Sequence, residues 1–466
     1  MSGIDLSAPP PPVSLNGKSV LTAILAAVAG LMFGLDLGVI SGALKFIGLE
    51  FNVTDFGKEC IVSSMMVGAA VGAVCGGRLS YLFGRKRLLL SSAVLFVLGS
   101  LLCALATSVT LLIVGRMVLG VSVGIASFTA PLYISEIAHQ HYRGSLISVY
   151  QLMITVGIFV AFISDALLAY SGSWRWMLGI VAIPGVVFLL GVLLLPDSPR
   201  WLVLRGRKDE AFTVLHQLRG HEGDARAEIS DIEEQLAQIE GGYGLFKANA
   251  NFRRSVFLGI LLQTMQQFTG IIVVMYYAPR IFEVAGFGDN AAMWGTAIVG
   301  LVNVLSTFIA IGFVDKWGRR PMLIAGFIIM TIGMASVGTL LYFGAGNSEL
   351  ARYGAVIMLL AFIVGFAFSA GPLVWILCSE VQPIKGRDFG IGCSTFTNWV
   401  TNMIVGLTFL TLLNTIGNAQ TFWMYAAFNA FFIYLTLKFV PETRGVSLEQ
   451  IERNLMAGKP LNRIGL

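Results

Sequence analysis

The sequence predicts an all-α membrane protein with twelve transmembrane helices in two pseudo-symmetric six-helix halves, and three observations predict it. Of the 466 residues, 56% are hydrophobic and only 12% charged, with a mean hydropathy of +0.80; that is too little charge to coat a soluble chain of this length. Apolar runs long enough for the ~20 residues a helix needs to cross a bilayer recur along the whole chain. Three short motifs also occur twice in the same order: Gly84-Arg85-Lys86 and Gly318-Arg319-Arg320, Ser135-Glu136 and Ser379-Glu380, Pro196-Asp197-Ser198 and Pro441-Glu442-Thr443. Their near-constant separation points to a duplicated six-span unit, an arrangement that puts a substrate site near the midplane between the halves.

Residues 1–18, with prolines at 9–12 and no basic stretch ahead of an apolar one, read as a disordered cytoplasmic tail rather than a cleaved signal peptide. Spans at about 20–44, 60–82, 88–106, 109–133, 146–170 and 176–195 make an N-terminal bundle over 19–195. Residues 196–253 are the one extended polar stretch, and Ile229, Ile232, Leu236 and Ile239 recur there at helical spacing, so a helical cytoplasmic linker is expected. Spans at about 256–282, 292–313, 322–343, 355–377, 389–413 and 422–439 make a C-terminal bundle over 254–440, followed by a cytoplasmic tail, 441–466. Bare backbone polar groups are costly in hydrocarbon, so every run is expected to be helical, and 53 glycines suit close helix packing.

Basic residues cluster after every second span: Arg85 to Arg87, Arg143, the stretch from Arg200 to Arg254, Lys316 to Arg320, and Lys385 with Arg387. The positive-inside rule therefore places both termini and the linker in the cytoplasm. The net charge of +5 follows from these loops and implies no nucleic acid partner. Cys60, Cys75, Cys103, Cys378 and Cys393 are scattered, which speaks against a disulfide framework and a metal cluster. His139, His141, His216 and His221 all fall between apolar runs, against a histidine proton relay. Neither paired carboxylates nor a nucleophile with its base lies at membrane depth, so an enzyme is not expected, nor a cofactor.

Asp36 and Arg116 are the lone ionisable residues of their spans, and charges this deep are functional candidates by default. Counting ~1.5 Å per residue from the expected helix ends puts Asp36 ~20 Å and Arg116 ~12 Å deep, close enough for the two to meet. A facing guanidinium favours the carboxylate, whereas its withdrawal leaves desolvation to favour proton uptake. The alternative is a permanent ion pair that only locks two helices. Asp165, near the end of the fifth span, reads as a solvated mouth residue.

Gln263, Gln266 and Gln267 share one face of the seventh helix, and Asn398 with Trp399 lies at similar depth in the eleventh. Amides there suit sugar hydroxyls, or else join helix to helix. A Gly371-Pro372 break ahead of Trp375 would free backbone and let a half-helix gate.

The chain resembles, over nearly its whole length, the sugar porters of the major facilitator superfamily. The resemblance rests on the two Gly-Arg motifs, Arg116, Pro196 to Arg200, Gln266-Gln267 and Pro441-Glu442-Thr443. Stretches such as 33–36, 151–155 and 378–383 look most like the bacterial galactose:proton and arabinose:proton symporters. The resemblance implies proton-coupled import of a monosaccharide, a hexose such as galactose or glucose or a pentose such as arabinose or xylose. It implies a bacterial inner membrane as the site of action, lipid as the surroundings, and a monomer.

The same resemblance carries proton coupling onto Asp36 and Arg116, and sugar contacts onto Gln151, Gln266, Gln267, Tyr276, Trp375 and Asn398, with Phe33 and Trp399 as aromatic wall. Where the family has an asparagine that bonds sugar hydroxyls, this chain has Ile272. An isoleucine cannot make that bond, which means weaker hexose binding, a site reshaped for a less hydroxylated sugar, or an altered variant. Arg85, Glu136 and Arg143, with Arg319, Glu380 and Arg387, are expected to form ion pairs holding the inner ends together while the outside is open; topology signalling alone would explain the arginines but not the glutamates. Asp315 has no acid at the matching position of the first half, so the two inner gates are expected to be inequivalent. The rival readings are a passive uniporter, against which Asp36 speaks, and a sugar sensor, against which the short tail after Pro441 speaks.

Overall fold

The computed structural model describes residues 17–138, 143–220, 222–237, 242–344, 348–446 and 448–466. The tail at 1–16, His139, His141, His221 and Ile239 lie outside these residues. Among the described residues twelve helices are long and apolar enough to cross a membrane: Val20–Phe51, Asp55–Phe83, Arg85–Ala104, Val109–Ile137, Val149–Ser171, Trp174–Leu194, Ala250–Val284, Asp289–Val314, Arg319–Tyr342, Glu349–Glu380, Arg387–Thr415 and Asn418–Phe439. They are called the first to twelfth spans below. Between the halves lie the shorter helices Pro199–Leu204, Lys208–Arg219, Glu222–Ala237 and Gly242–Ala248. Trp201, Leu202, Ala211 and Ile232 give this linker a small apolar core of its own.

Several spans run past their apolar stretches. The first reaches Phe51 through Lys45 and Glu50, and the second starts at Asp55 because Thr54 accepts a bond from the Gly57 N–H and caps it. The seventh and tenth are broken. Gly270 has φ +93°, a left-handed conformation that suits glycine, and separates Ala250–Phe268 from Ile271–Val284. The tenth breaks at Ser369 (φ −122°, ψ −94°), two residues ahead of the expected Gly371-Pro372. Pro372 then falls in the first turn of Ala370–Glu380, where its missing N–H has no intrahelical role.

Within the N-terminal half the first span packs on the fifth, and the fourth on the second and third. Glycines set these crossings. A Cβ on Gly34 would collide with the Ile154 carbonyl, one on Gly157 with the Leu31 carbonyl, one on Gly120 with the Met65 carbonyl and one on Gly124 with the Ala69 carbonyl. Backbone therefore lies against backbone. The halves meet where the first, second and fifth spans face the seventh, eleventh and eighth. The sixth span turns Ile183, Val187, Leu190 and Leu194 outward as an exposed apolar surface.

Candidate functional site

Asp36 and Arg116 meet in the core of the N-terminal half. Arg116 Nη1 donates to Asp36 Oδ1 at 2.6 Å, and both residues are fully buried. The bond is a single one: Asp36 Oδ2 and Arg116 Nε and Nη2 are buried without a partner. The hydroxyl of Tyr276, on the half-helix after Gly270, is likewise buried and unpartnered. One first-span carboxylate thus faces a fourth-span guanidinium.

The amides form a cluster inside the C-terminal half. Asn398 Nδ2 donates to Gln263 Oε1 at 2.7 Å and to Gln266 Oε1 at 2.9 Å. Gln266 Nε2 donates to the carbonyls of Ala370 and Gly371 at 2.8 and 3.0 Å, at the break in the tenth span. Gln267 Nε2 donates to Gln266 Oε1 at 3.3 Å, while Gln267 Oε1 is buried and unpartnered. Gln263, Gln266 and Asn398 thus join three spans to one another, the helix-to-helix role that the sequence left open. Gln267 keeps an acceptor to offer. Phe33 of the first span meets Trp399 of the eleventh across the two halves with ring centroids 5.3 Å apart, and Trp399 Nε1 has no partner. Gln151 and Trp375 are half-buried. Ile272 is buried one residue into the half-helix that follows Gly270 and belongs to the apolar core.

At the linker end the duplicated motifs assemble into two matching clusters. In the first half Arg85 forks onto Glu136 with Nε at 2.8 Å and Nη2 at 2.7 Å, and the Ser198 hydroxyl donates to Glu136 Oε2 at 2.5 Å. In the second, Arg319 Nη2 donates to Glu380 Oε1 at 3.1 Å and the Thr443 hydroxyl to Glu380 Oε2 at 2.5 Å. Glu442 adds acceptors for the N–H groups of Arg319 and Arg320, both at 3.0 Å. The pairing corrects one expectation. Each arginine opens one span and its glutamate closes another span of the same half, so these pairs brace the ends within a half rather than tying the halves together. Arg387 opens the eleventh span; the side chains of Arg143 and Asp315 lie outside the described residues.

A second correction concerns Asp165, which is 2% exposed and not a solvated mouth residue. Its Oδ2 accepts the Gly42 N–H at 2.9 Å, an approach that the bare Cα of Gly42 makes possible.

The polar contacts named between halves gather at the end opposite the linker, called the far end here. Lys45 reaches Glu283 at 2.8 Å and Asp289 at 2.5 Å, and Trp294 Nε1 donates to the Tyr170 hydroxyl at 3.1 Å. Asn414 Nδ2 donates to Asp55 at 2.9 Å, and Thr411 bonds Glu59. A cavity of about 290 Å³ lies beneath this end, lined by Ser41, Lys45, Asp55, Tyr276, Tyr277 and Glu283 among others. Sequence reading missed this belt. Its one visible signal was Glu59, an acid set at the edge of the second apolar run.

The family model described as "Sugar (and other) transporter" matches residues 22–455. This chain belongs to the sugar transporter family. Among its relatives, the galactose-proton symporter of Escherichia coli is 60% identical over 453 residues, 97% of each chain, and the arabinose-proton symporter of Escherichia coli is 54% identical over 97% of this chain and 100% of that one. A solved structure of the E. coli proton:xylose symporter XylE, of the major facilitator superfamily, superposes with a TM-score of 0.80 at 31% identity, covering 94% of this chain and 99% of that one. The sugar transporter family thus accounts for the two six-span halves, and its fold is the major facilitator fold.

Proposed function

We propose that the protein imports a monosaccharide together with a proton by alternating access, as a monomer in a bacterial inner membrane with both termini and the linker in the cytoplasm. The observation that carries this reading is the fully buried Asp36–Arg116 pair. A charge held by one bond at this depth can be neutralised by a proton once its partner moves. The names of the relatives support the same chemistry: symporters of galactose, arabinose and xylose.

In this cycle the far end opens, Asp36 takes a proton and sugar binds between the halves. Unpaired polar atoms on Gln267, Tyr276 and Trp399 offer bonds to its hydroxyls, while Phe33 and Trp399 cover its apolar face. The halves then rock, sugar and proton leave at the linker end, and Arg116 returns to Asp36. One charge crossing the membrane supplies ~2.3 kcal/mol per 100 mV, enough to drive accumulation. Arg85 with Glu136 and Arg319 with Glu380 keep the linker end of each half rigid during the swing.

The test is uptake of labelled galactose, glucose, arabinose and xylose into proteoliposomes with and without an inward proton gradient. Gradient-driven accumulation of one sugar is expected; equilibration without accumulation would make the protein a uniporter.

A further inference from the structure

Glu59 is fully buried, yet both of its hydrogen-bond partners come from the other half. The Thr411 N–H donates to Oε1 at 2.8 Å and the Thr411 hydroxyl to Oε2 at 2.6 Å, across 352 positions of sequence. Four residues earlier on the same helix, Asp55 takes the Asn414 amide at 2.9 Å, so the first turns of the second span and the last turns of the eleventh are bonded side by side. Burying a carboxylate is costly unless its oxygens are bonded, and here one residue of the opposite half bonds both. Lys58, next in sequence, is engaged with Asp55 at 3.0 Å.

We propose that Glu59 is a positioning residue for transport, a latch whose bonds to Thr411 hold the far end shut and so set the balance between the two access states. The inference rests on the alternating-access reading. Separation of the second and eleventh spans removes both donors at once and hands the carboxylate to water. The latch is therefore either fully made or fully absent, which suits a two-state transition. Lys45, reaching Glu283 and Asp289, is a second tie at the same end, but it is one-third exposed and correspondingly weaker.

One turn further in, Ser63 is 2% exposed, and its hydroxyl lacks a partner beside Gly406 of the eleventh span. Ser63→Cys, in a background without the five native cysteines, reports parting of these two spans through its reaction with a water-soluble maleimide in proteoliposomes. Glu59→Ala is expected to speed that labelling by about tenfold, the size of a lost charged hydrogen bond. Thr411→Val is expected to act in the same direction and more weakly, since the main-chain donor remains. The double variant is expected to exceed Glu59→Ala little, because both changes remove one interaction.

Unchanged labelling in both single variants, or effects that simply add, would overturn the latch. If Glu59→Ala does not insert, Thr411→Val decides alone. Labelling needs neither sugar nor a proton gradient, so failure of the symport reading would appear in the uptake assay and leave this measurement intact.

Discussion

Arg116 holds Asp36 by one 2.6 Å bond, with the second carboxylate oxygen and two guanidinium nitrogens left over, all inside the N-terminal half. A structural ion pair at such depth is normally fully bonded, because each unmatched charged atom is costly there. The incomplete pairing fits a contact that is remade in every cycle.

Asp36→Asn is accordingly expected to end accumulation, bringing sugar to equal concentrations on both sides, while exchange of sugar for sugar continues at a reduced rate. Uptake and counterflow measured in the same proteoliposomes check this, and unchanged accumulation would remove Asp36 from the coupling.

Gln267→Ala deletes an amide whose carbonyl oxygen has no protein partner, so the fold loses only the 3.3 Å bond to Gln266. Sugar affinity is expected to fall about tenfold with melting temperature little changed, the cost of one unpaired hydroxyl. Gln266→Ala is the contrast. It breaks the bonds to Ala370, Gly371 and Asn398 and is expected to lower stability as well as affinity. Sugar titration and thermal melts of the two variants separate the roles.

Ile272→Asn places an amide one turn ahead of Tyr276 on the same half-helix. Hexoses are expected to bind more tightly by up to about tenfold, and pentoses less so. Competition between labelled galactose and labelled arabinose measures the difference, and an equal change for both would refute a role in selectivity.

Arg85→Gln leaves Glu136, 9% exposed, with the Ser198 hydroxyl but without its cation. A loss of about 1–3 kcal/mol is expected. Arg319→Gln is expected to cost less, because the 3.1 Å contact of Arg319 with Glu380 is longer than the Arg85 contacts with Glu136 and Thr443 stays in place. Thermal melts of the two purified variants give the order.

What could be read in advance follows from how local each signal is. Asp36 and Arg116 stood out as lone charges in long apolar runs, and their depths could be counted from the helix ends. The duplicated motifs foretold a cluster in each half, because a duplicated fold repeats its contacts, and Asp315, with no counterpart in the first half, set the two apart; that each pair would join two spans of one half was not visible, since adjacency of helix ends depends on packing. Asp165 was misread because its burial depends on a glycine 123 positions away. Glu59 carried no recognisable motif, and one of its two partners is a main-chain N–H, which no residue type announces. The break at Ser369 was expected two residues late, because Pro372 fits within the first turn of a helix and so marks the turn after the break rather than the break itself.

The glycine crossings bear on how such a protein can move at all. Where the Gly34, Gly120, Gly124 and Gly157 backbones rest directly on the carbonyls of neighbouring spans, no side chain lies between them whose rotamers might take up a displacement. Such a crossing passes a displacement on more than it absorbs it. The contact between halves instead includes many side chains, such as Phe33, Trp399, Lys45 and Glu59, which can let go and re-form. The N-terminal half is thus stiffer at these crossings than the seam it shares with its partner half, and a stiff body on a softer seam favours a swing about it.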